Sequence, residues 1–202
     1  MPYEDSRWDI EYFAFFSRAV LSVLPSIDFR PDIIHCHDWQ AALVPLYLRT
    51  CFSDTNIGRA IAVLTIHNLR FQGVYDRKTI QYWSGLPDYV FNKDCMIQNW
   101  LDANMLKGGI TYSNKVTTVS NTYAWEIQTE EYGEGLAEHL RYHQNKIRGI
   151  VNGIDINIWN PSPLIKNMNK SQRSWLRSSP RCIRSIFQMG RGIWEKRDYV
   201  KY

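Results

Sequence analysis

Polar side chains that could do chemistry follow directly after a short apolar run in PDIIHCHDWQ, residues 31–40. His35, His37 and Asp38 provide two imidazoles and a carboxylate, which are groups that bind zinc or manganese. In a second interpretation, Asp38 begins the following helix as its N-cap. In a third, Asp38 accepts a sugar hydroxyl and the ring of Trp39 packs on an apolar sugar face. We predict no metal site, and the residues alone leave the other two interpretations open.

Two further apolar runs end in the same way. His67 and Asn68 follow VLTI, and Asn152 and Asp155 lie in NGID, which follows KIRGIV. By spacing alone, a histidine at the end of a strand is most often structural, and Asn-Gly is most often part of a turn. These residues therefore indicate a functional site only if the fold brings them close together.

Other kinds of chemistry lack their usual motifs. There is no GxSxG elbow for a serine nucleophile, and no cysteine lies in a recognisable catalytic motif. LKGGI at 106–110 lacks the spacing of a phosphate-binding loop. We therefore predict that Gly108 and Gly109 allow close packing of a helix.

Hydrophobic periodicity predicts the elements that position these side chains. Apolar residues recur at intervals of three and four over 10–25, which is typical of an amphipathic helix. Four continuously apolar runs, PDIIHC, IAVLTI, KVTTVS and KIRGIV, are separated by helical stretches, which favours a parallel sheet covered on both faces. A helix is also predicted over WQAALVPLYLRT, with a kink at Pro45, and 69–95 is predicted to be irregular. The fold class is therefore α/β, a partial doubly wound parallel sheet, and its ligands are expected beyond the carboxyl ends of the strands.

Composition indicates an ordinary globular protein. The chain has 202 residues, of which 45% are hydrophobic and 22% charged, a balance that excludes disordered and fibrous classes. We see no run approaching the roughly 18–20 apolar residues of a membrane span and no secretory signal in residues 1–9. The four cysteines lack CxxC spacing and are expected to be buried thiols.

Charge separates the end of the chain from the rest. Residues 162–202 hold 10 Lys or Arg and 2 Asp or Glu, whereas residues 1–161 hold 14 and 18. One interpretation is a basic tail that binds nucleic acid. The other is a reading-frame disruption or an incomplete gene model, which would leave a disordered segment. We favour the second and expect no nucleic-acid partner.

Four motifs, in order, resemble those of the glycogen and starch synthases: PDIIHCHDWQAALVP, LTIHNLRFQGVY, LKGGITYSNKVTTVSNTYAWEI and GIVNGIDINIWNP. The resemblance covers roughly residues 10–161. It implies a GT-B glycosyltransferase of two doubly wound α/β domains, with residues 1–161 as a partial first domain. The implied activity is retaining transfer of glucose from ADP-glucose, as donor substrate, to the non-reducing end of an α-1,4-glucan, without a cofactor.

The resemblance also implies roles for individual residues. The HDW motif places sugar and acceptor contacts at His37, Asp38 and Trp39, and the IHN motif places them at His67 and Asn68. His67 and Asp38 are the expected catalytic residues. Asn152 in NGID resembles a residue of the cleft, and Tyr3 resembles a tyrosine on the acceptor side.

Two departures from the family pattern limit the expected activity. The family's amino-terminal lysine and glycine loop and its second, nucleotide-binding domain have no match in this sequence. We therefore expect a fragment that is inactive alone, binds ADP-glucose only with a second domain and resides in the cytoplasm or the plastid stroma, without a membrane partner. A non-catalytic glucan-binding or vestigial protein is the main alternative, and a related two-domain transferase that uses another sugar nucleotide is a further one.

Overall fold

The structure is a computed structural model and describes residues 6–153 and residue 155. Residues up to Asn152 form one unit, and Gly153 and Asp155 belong to another. Tyr3, the predicted boundary at residue 161 and the predicted tail at 162–202 lie outside the described residues.

Strands and helices alternate along most of this part of the chain. The strands are Ile33–His37 (β1), Ile61–Ile66 (β2), Val74–Asp76 (β3), Asp102–Asn104 (β4), Lys115–Thr118 (β5) and Ile147–Gly149 (β6). The α-helices are Ser6–Val23 (α1), Leu43–Arg49 (α2), Arg77–Ser84 (α3), Met105–Tyr112 (α4), Asn121–Glu126 (α5) and Ala137–Tyr142 (α6). Short 3₁₀ turns include Leu24–Ile27 and Trp39–Ala41.

The main sheet has four parallel strands in the order β1-β2-β5-β6. All four predicted strands are therefore present, and their carboxyl ends lie along one edge of the sheet. A separate antiparallel pair consists of β3, which lies within the stretch that was predicted to be irregular, and β4, which lies directly before α4. Helix α3 was missed there as well. Its start is fixed by Asp76, whose carboxylate accepts a hydrogen bond from the backbone N–H of Thr79.

The two faces of the main sheet differ in burial. On one face, Ala62, Leu64 and Ile66 of β2 are fully buried in the hydrophobic core. On the other, Ile33 is 58% exposed and Ile61 is 46% exposed. The first of these faces is therefore the better covered in the described part of the chain, although Thr65 on the second face is only 9% exposed.

Helix α1 confirms the predicted amphipathic helix, since it buries Ile10, Ala14 and Leu21 and contacts α2 and α3. Its opposite side stays exposed. The 20-residue stretch Trp8–Ile27, with a mean hydropathy of 1.3, is long and apolar enough to cross a membrane. The expectation that the chain has no stretch approaching a membrane span is therefore wrong. Core helices and signal sequences pass the same test, so the stretch does not by itself indicate a membrane protein.

Helix α2 begins later than the sequence predicted. A 3₁₀ turn comes first and α2 starts at Leu43, which puts Pro45 in the first turn of the helix. A proline is tolerated there because its missing N–H would have no partner within the helix. No kink at Pro45 is needed.

Close packing of α4 on α2 confirms the prediction for the two glycines. A Cβ atom at Gly109 would lie 2.8 Å from Cβ of Ala42, and one at Gly108 would lie 2.7 Å from Cγ of Met96. Of the cysteines, Cys36 and Cys95 are buried as predicted. Cys51 is exposed, contrary to prediction.

Candidate functional site

The carboxyl ends of β1 and β2 bring four of the predicted site residues together. We call this group, His37, Asp38, His67 and Asn68, the rim. The two strands run side by side in parallel, with His37 opposite Thr65, so the segments that leave them meet at one edge of the sheet. His37, His67 and Asn68 are exposed, and Asp38 is half-buried.

Asp38 has a backbone conformation that is rare outside glycine. Its φ is 55° and its ψ is −170°, a region in which a side chain costs on the order of 1–3 kcal/mol. Oδ1 of Asp38 accepts a hydrogen bond of 2.8 Å from the backbone N–H of His67, and its own N–H donates to the carbonyl of Thr65 at 2.9 Å. Asp38 thus fastens the end of β1 to the end of β2.

The N-cap interpretation of Asp38 is wrong. Asp38 does occupy the position before the 3₁₀ turn, but its side chain makes no capping hydrogen bond. The carboxylate points to the neighbouring strand instead. Its second oxygen, Oδ2, makes no hydrogen bond within the described residues.

The two rim histidines contact each other. Nδ1 of His37 lies 3.0 Å from Nε2 of His67, and their ring centroids are 5.2 Å apart with planes 27° apart. His35, two residues earlier on β1, lies beside His37 with a centroid distance of 4.3 Å. His35 is hydrogen-bonded within the sheet, since its Nε2 lies 2.7 Å from Oγ1 of Thr65.

Electrostatics favour a neutral ring at His35. Partial burial lowers the pKa of His35, and the neighbouring His37 and His67 lower it further. A neutral imidazole can donate through one nitrogen and accept through the other, which suits a position between a hydroxyl and a second ring. Within the described residues, no group of three or more His, Cys, Asp or Glu side chains is placed to hold a metal ion.

Trp39 does not offer its ring to a ligand. It is only 6% exposed, and its ring packs edge-on against Phe13 with a centroid distance of 4.9 Å. Gly73 lies so close that a Cβ there would be 2.5 Å from the indole. The interpretation in which the Trp39 ring packs on a sugar face therefore does not fit this position, and Trp39 instead anchors the chain that follows Asp38 in the core.

Asn68 and Asn152 are both exposed, but they occupy different places. Oδ1 of Asn68 accepts a hydrogen bond of 3.0 Å from the N–H of Arg70 and so shapes the turn after β2. Asn152 follows β6, two strands away from β2, which is about 10 Å at the usual strand spacing. The structure therefore places Asn152 on the same edge of the sheet without bringing it into the rim.

Sequence reasoning missed three residues that hold the rim in place. Oγ1 of Thr65 and Oγ1 of Thr117 lie 2.6 Å apart on neighbouring strands. The hydroxyl of Tyr123 accepts a hydrogen bond of 3.0 Å from the N–H of Leu69, just after the rim. The available signal was a threonine in each of two apolar strands, which would have pointed to a polar row across the sheet.

Comparison with known proteins agrees with this architecture. A family model described as the starch synthase catalytic domain matches residues 1–142. The chain belongs to the starch synthase catalytic domain family. The family predicted from the four motifs is thereby confirmed, and with it the class of glycosyltransferase.

Relatives in this family are longer than the chain. A glycogen synthase of Lachnospira eligens is 52% identical over 161 residues, which are 79% of this chain and 34% of that protein. A glycogen synthase of Thermotoga maritima is 48% identical over 149 residues, which are 73% of this chain and 30% of that protein. The chain thus spans about a third of the length of the curated relatives it matches.

A solved structure of the family has the same fold. The catalytic domain of starch synthase IV from Arabidopsis thaliana, bound to ADP and acarbose, matches with a TM-score of 0.72 and 38% identity. The match covers 80% of this chain and 32% of that chain. The predicted fold class, the α/β fold of a GT-B glycosyltransferase, is confirmed.

Proposed function

We propose that this chain forms the acceptor-side part of a glucosyltransferase that transfers glucose from ADP-glucose to the non-reducing end of an α-1,4-glucan, with retention. The observation that carries the proposal is the rim. Two exposed histidines in contact, a strained aspartate and an exposed amide converge where ligands bind to open parallel sheets.

The chemistry of glycosyl transfer suits these groups. Positive charge develops at the sugar carbon as the diphosphate leaves, so preorganised dipoles and a nearby negative charge stabilise the transition state more than a strong base does. Asp38 supplies the negative charge, held in place by its hydrogen bond to the N–H of His67. Imidazole and amide groups supply hydrogen bonds to sugar hydroxyls.

Roles follow from these positions. We assign catalytic contacts to His67 and Asp38, and sugar contacts to His37 and Asn68. Asn152 contacts the substrate only if the sugar chain extends along the edge of the sheet. Tyr3 remains a proposed acceptor contact outside the described residues. Trp39 acts indirectly, through the backbone of Asp38.

The donor requires groups that the rim lacks. A leaving diphosphate needs cations or backbone N–H donors, and the rim contains neither Lys nor Arg. We propose that ADP-glucose is bound with the help of a second domain such as that of the longer relatives, and that no cofactor takes part. The ADP in the Arabidopsis structure is consistent with such a donor. Glucan synthesis of this kind belongs in the cytoplasm or the plastid stroma.

A chimaera tests the proposal. The matching segment of the Lachnospira eligens glycogen synthase is replaced by this chain's residues, and glucose transfer from ADP-glucose to glycogen is measured. We expect the chimaera to be active, and we expect Asp38→Asn and His67→Ala to lower kcat by at least about 100-fold each, as loss of a preorganised electrostatic contact does. A folded chimaera that binds ADP-glucose and glycogen but retains full activity in both variants contradicts these assignments.

A glucan-binding protein without transferase activity is the second candidate. The observation that favours it is the rim itself, which offers groups for sugar hydroxyls but no Lys or Arg for a diphosphate. The chimaera discriminates between the two candidates when its binding of maltohexaose and of ADP-glucose is titrated separately and its glucose transfer is measured. A folded chimaera that binds both ligands but transfers no glucose supports the second one.

A further inference from the structure

A column of three imidazole rings runs up the exposed face of the sheet to the rim. We call His35, His37 and His67 the histidine column. His35 and His37 are two residues apart on β1, so their side chains share one face of the sheet. Each ring lies beside the next, with centroid distances of 4.3 Å and 5.2 Å. The order of the rings therefore leads from the middle of the sheet to the proposed catalytic histidine.

The lower end of the column is anchored across three strands. Nε2 of His35 lies 2.7 Å from Oγ1 of Thr65, and this oxygen lies 2.6 Å from Oγ1 of Thr117. Thr65 is only 9% exposed, so its hydroxyl has little access to water. The network fixes the ring plane of His35, on which the ring of His37 rests.

The upper end of the column couples two rings through one hydrogen bond. Nδ1 of His37 and Nε2 of His67 are 3.0 Å apart. A hydrogen bond needs one donor and one acceptor, so with both rings neutral only one of these nitrogens carries a proton. The tautomer of His37 therefore sets the tautomer of His67. Nδ1 of His67 makes no hydrogen bond in the described part of the chain and is the nitrogen left to face a ligand.

We propose that Thr65 and His35 are positioning residues for His67. They hold the ring of His37 where it engages Nε2 of His67, and so they keep the His37–His67 pair in a single tautomeric arrangement. The proposal rests on the proposed function only in naming a glucan hydroxyl as the group that Nδ1 meets. The coupling along the column is a property of this chain.

Nitrogen NMR of the histidine rings tests the coupling. The chain has only five histidines, so the long-range proton–nitrogen spectrum of the labelled chain is simple. At about pH 8, above the ordinary histidine pKa, we expect His67 to show a single tautomer. Thr65→Val removes the hydroxyl at nearly constant shape, and we expect both ring nitrogens of His67 to shift toward the average of the two tautomers. Thr65→Ser restores the hydroxyl and should restore the wild-type signal.

A matched control loses a hydroxyl elsewhere. Oγ1 of Thr129 donates to the carbonyl of Glu126 at 2.7 Å, away from the column. Thr129→Val should leave the His67 signal unchanged. If Thr65→Val fails to fold, His35→Phe replaces it, because His35 is exposed on β1 and phenylalanine keeps a ring beside His37 while breaking the bond to Thr65.

An unchanged tautomer of His67 in either folded variant overturns the proposal, because a merely structural threonine would leave that signal alone. A shift of the His67 ring-nitrogen signals in Thr65→Val that is absent in Thr65→Ser supports the proposal. Maltohexaose tests the proposed function separately. If the wild-type chain does not respond to maltohexaose, glucan binding is contradicted, while the comparison of tautomers still decides the positioning proposal.

Discussion

The chain's five histidines fall into two groups with opposite environments. The histidine column is exposed, or partly so, and each of its members has a ring or a hydroxyl beside it. His139 in α6 and His143 directly after it are half-buried, with ring centroids 4.6 Å apart, and we call them the buried pair. Nε2 of His143 is buried without a hydrogen-bond partner in the described part of the chain.

Burial keeps the rings of the buried pair neutral. Burial lowers the pKa of His139 to about 3, helped by His143 and Lys107. Burial also lowers the pKa of His143 to about 4, with a contribution from Lys146. Lys146 in turn donates to the carbonyls of Thr111 and Ser113 at 2.9 Å and 3.1 Å. The buried pair therefore holds α6 in place as neutral rings, whereas the column directs its polar atoms to a site that solvent and ligands can reach.

The largest expected effect is a loss of stability in acid, which we expect to come from the buried pair. The buried pair has lower pKa values in the folded chain than the ordinary 6.5, so the unfolded chain binds protons first as the pH falls. Stability is then complete above about pH 6.5 and is lost as the pH falls toward 4. After discounting for partial exposure, we expect the free energy of unfolding to fall by about 2 kcal/mol between about pH 7 and 5. Urea unfolding at each pH measures this, and a flat profile contradicts the account of the buried pair.

At the rim, we expect the side chain of Asp38 to stabilise the folded chain and its strained backbone to destabilise it. Asp38→Ala loses the hydrogen bond to the N–H of His67 and should lower the free energy of unfolding by about 1.5 kcal/mol. Asp38→Gly loses the same bond but tolerates φ of 55°, so we expect it to be about 1 kcal/mol more stable than the alanine variant. Urea unfolding at neutral pH compares them. Equal stability of the two variants would mean that the backbone is not strained.

Replacing one member of the buried pair should remove part of the acid effect. His143→Phe keeps the aromatic contacts with Tyr142 and His139 and removes the unpaired nitrogen. We expect unchanged stability at neutral pH and a loss on acidification that is smaller by about 1 kcal/mol.

Asp38→Gly serves as the control for His143→Phe, since it leaves the buried pair intact and should keep the full acid effect. If His143→Phe retains that full effect as well, His143 is not one of the groups that bind protons on unfolding.

Much of the fold followed from periodicity. Continuous apolar runs identified all four parallel strands, and the motif resemblance identified the family. The prediction of a kink at Pro45 was wrong because the sequence did not show that a 3₁₀ turn would come before α2. Helix α3 was missed because only eight residues form it, and its start depends on Asp76 acting as a cap.

The site was predicted in outline. The strand ends correctly indicated where His37, Asp38 and His67 meet. The burial of Trp39 could not be predicted, because it depends on Phe13 and Gly73 from other parts of the chain. The pairing of Thr65 with Thr117 depends on strand register, which neither threonine reveals alone.

The most direct test of the central claim is a titration of the nitrogen-labelled chain with maltohexaose, followed by amide NMR. We predict saturable shifts at Asp38, His67 and Asn68, and none at His139 and His143. Shifts confined to the buried pair, or no saturable shift at the rim, would contradict the proposal that the rim is the glucan site.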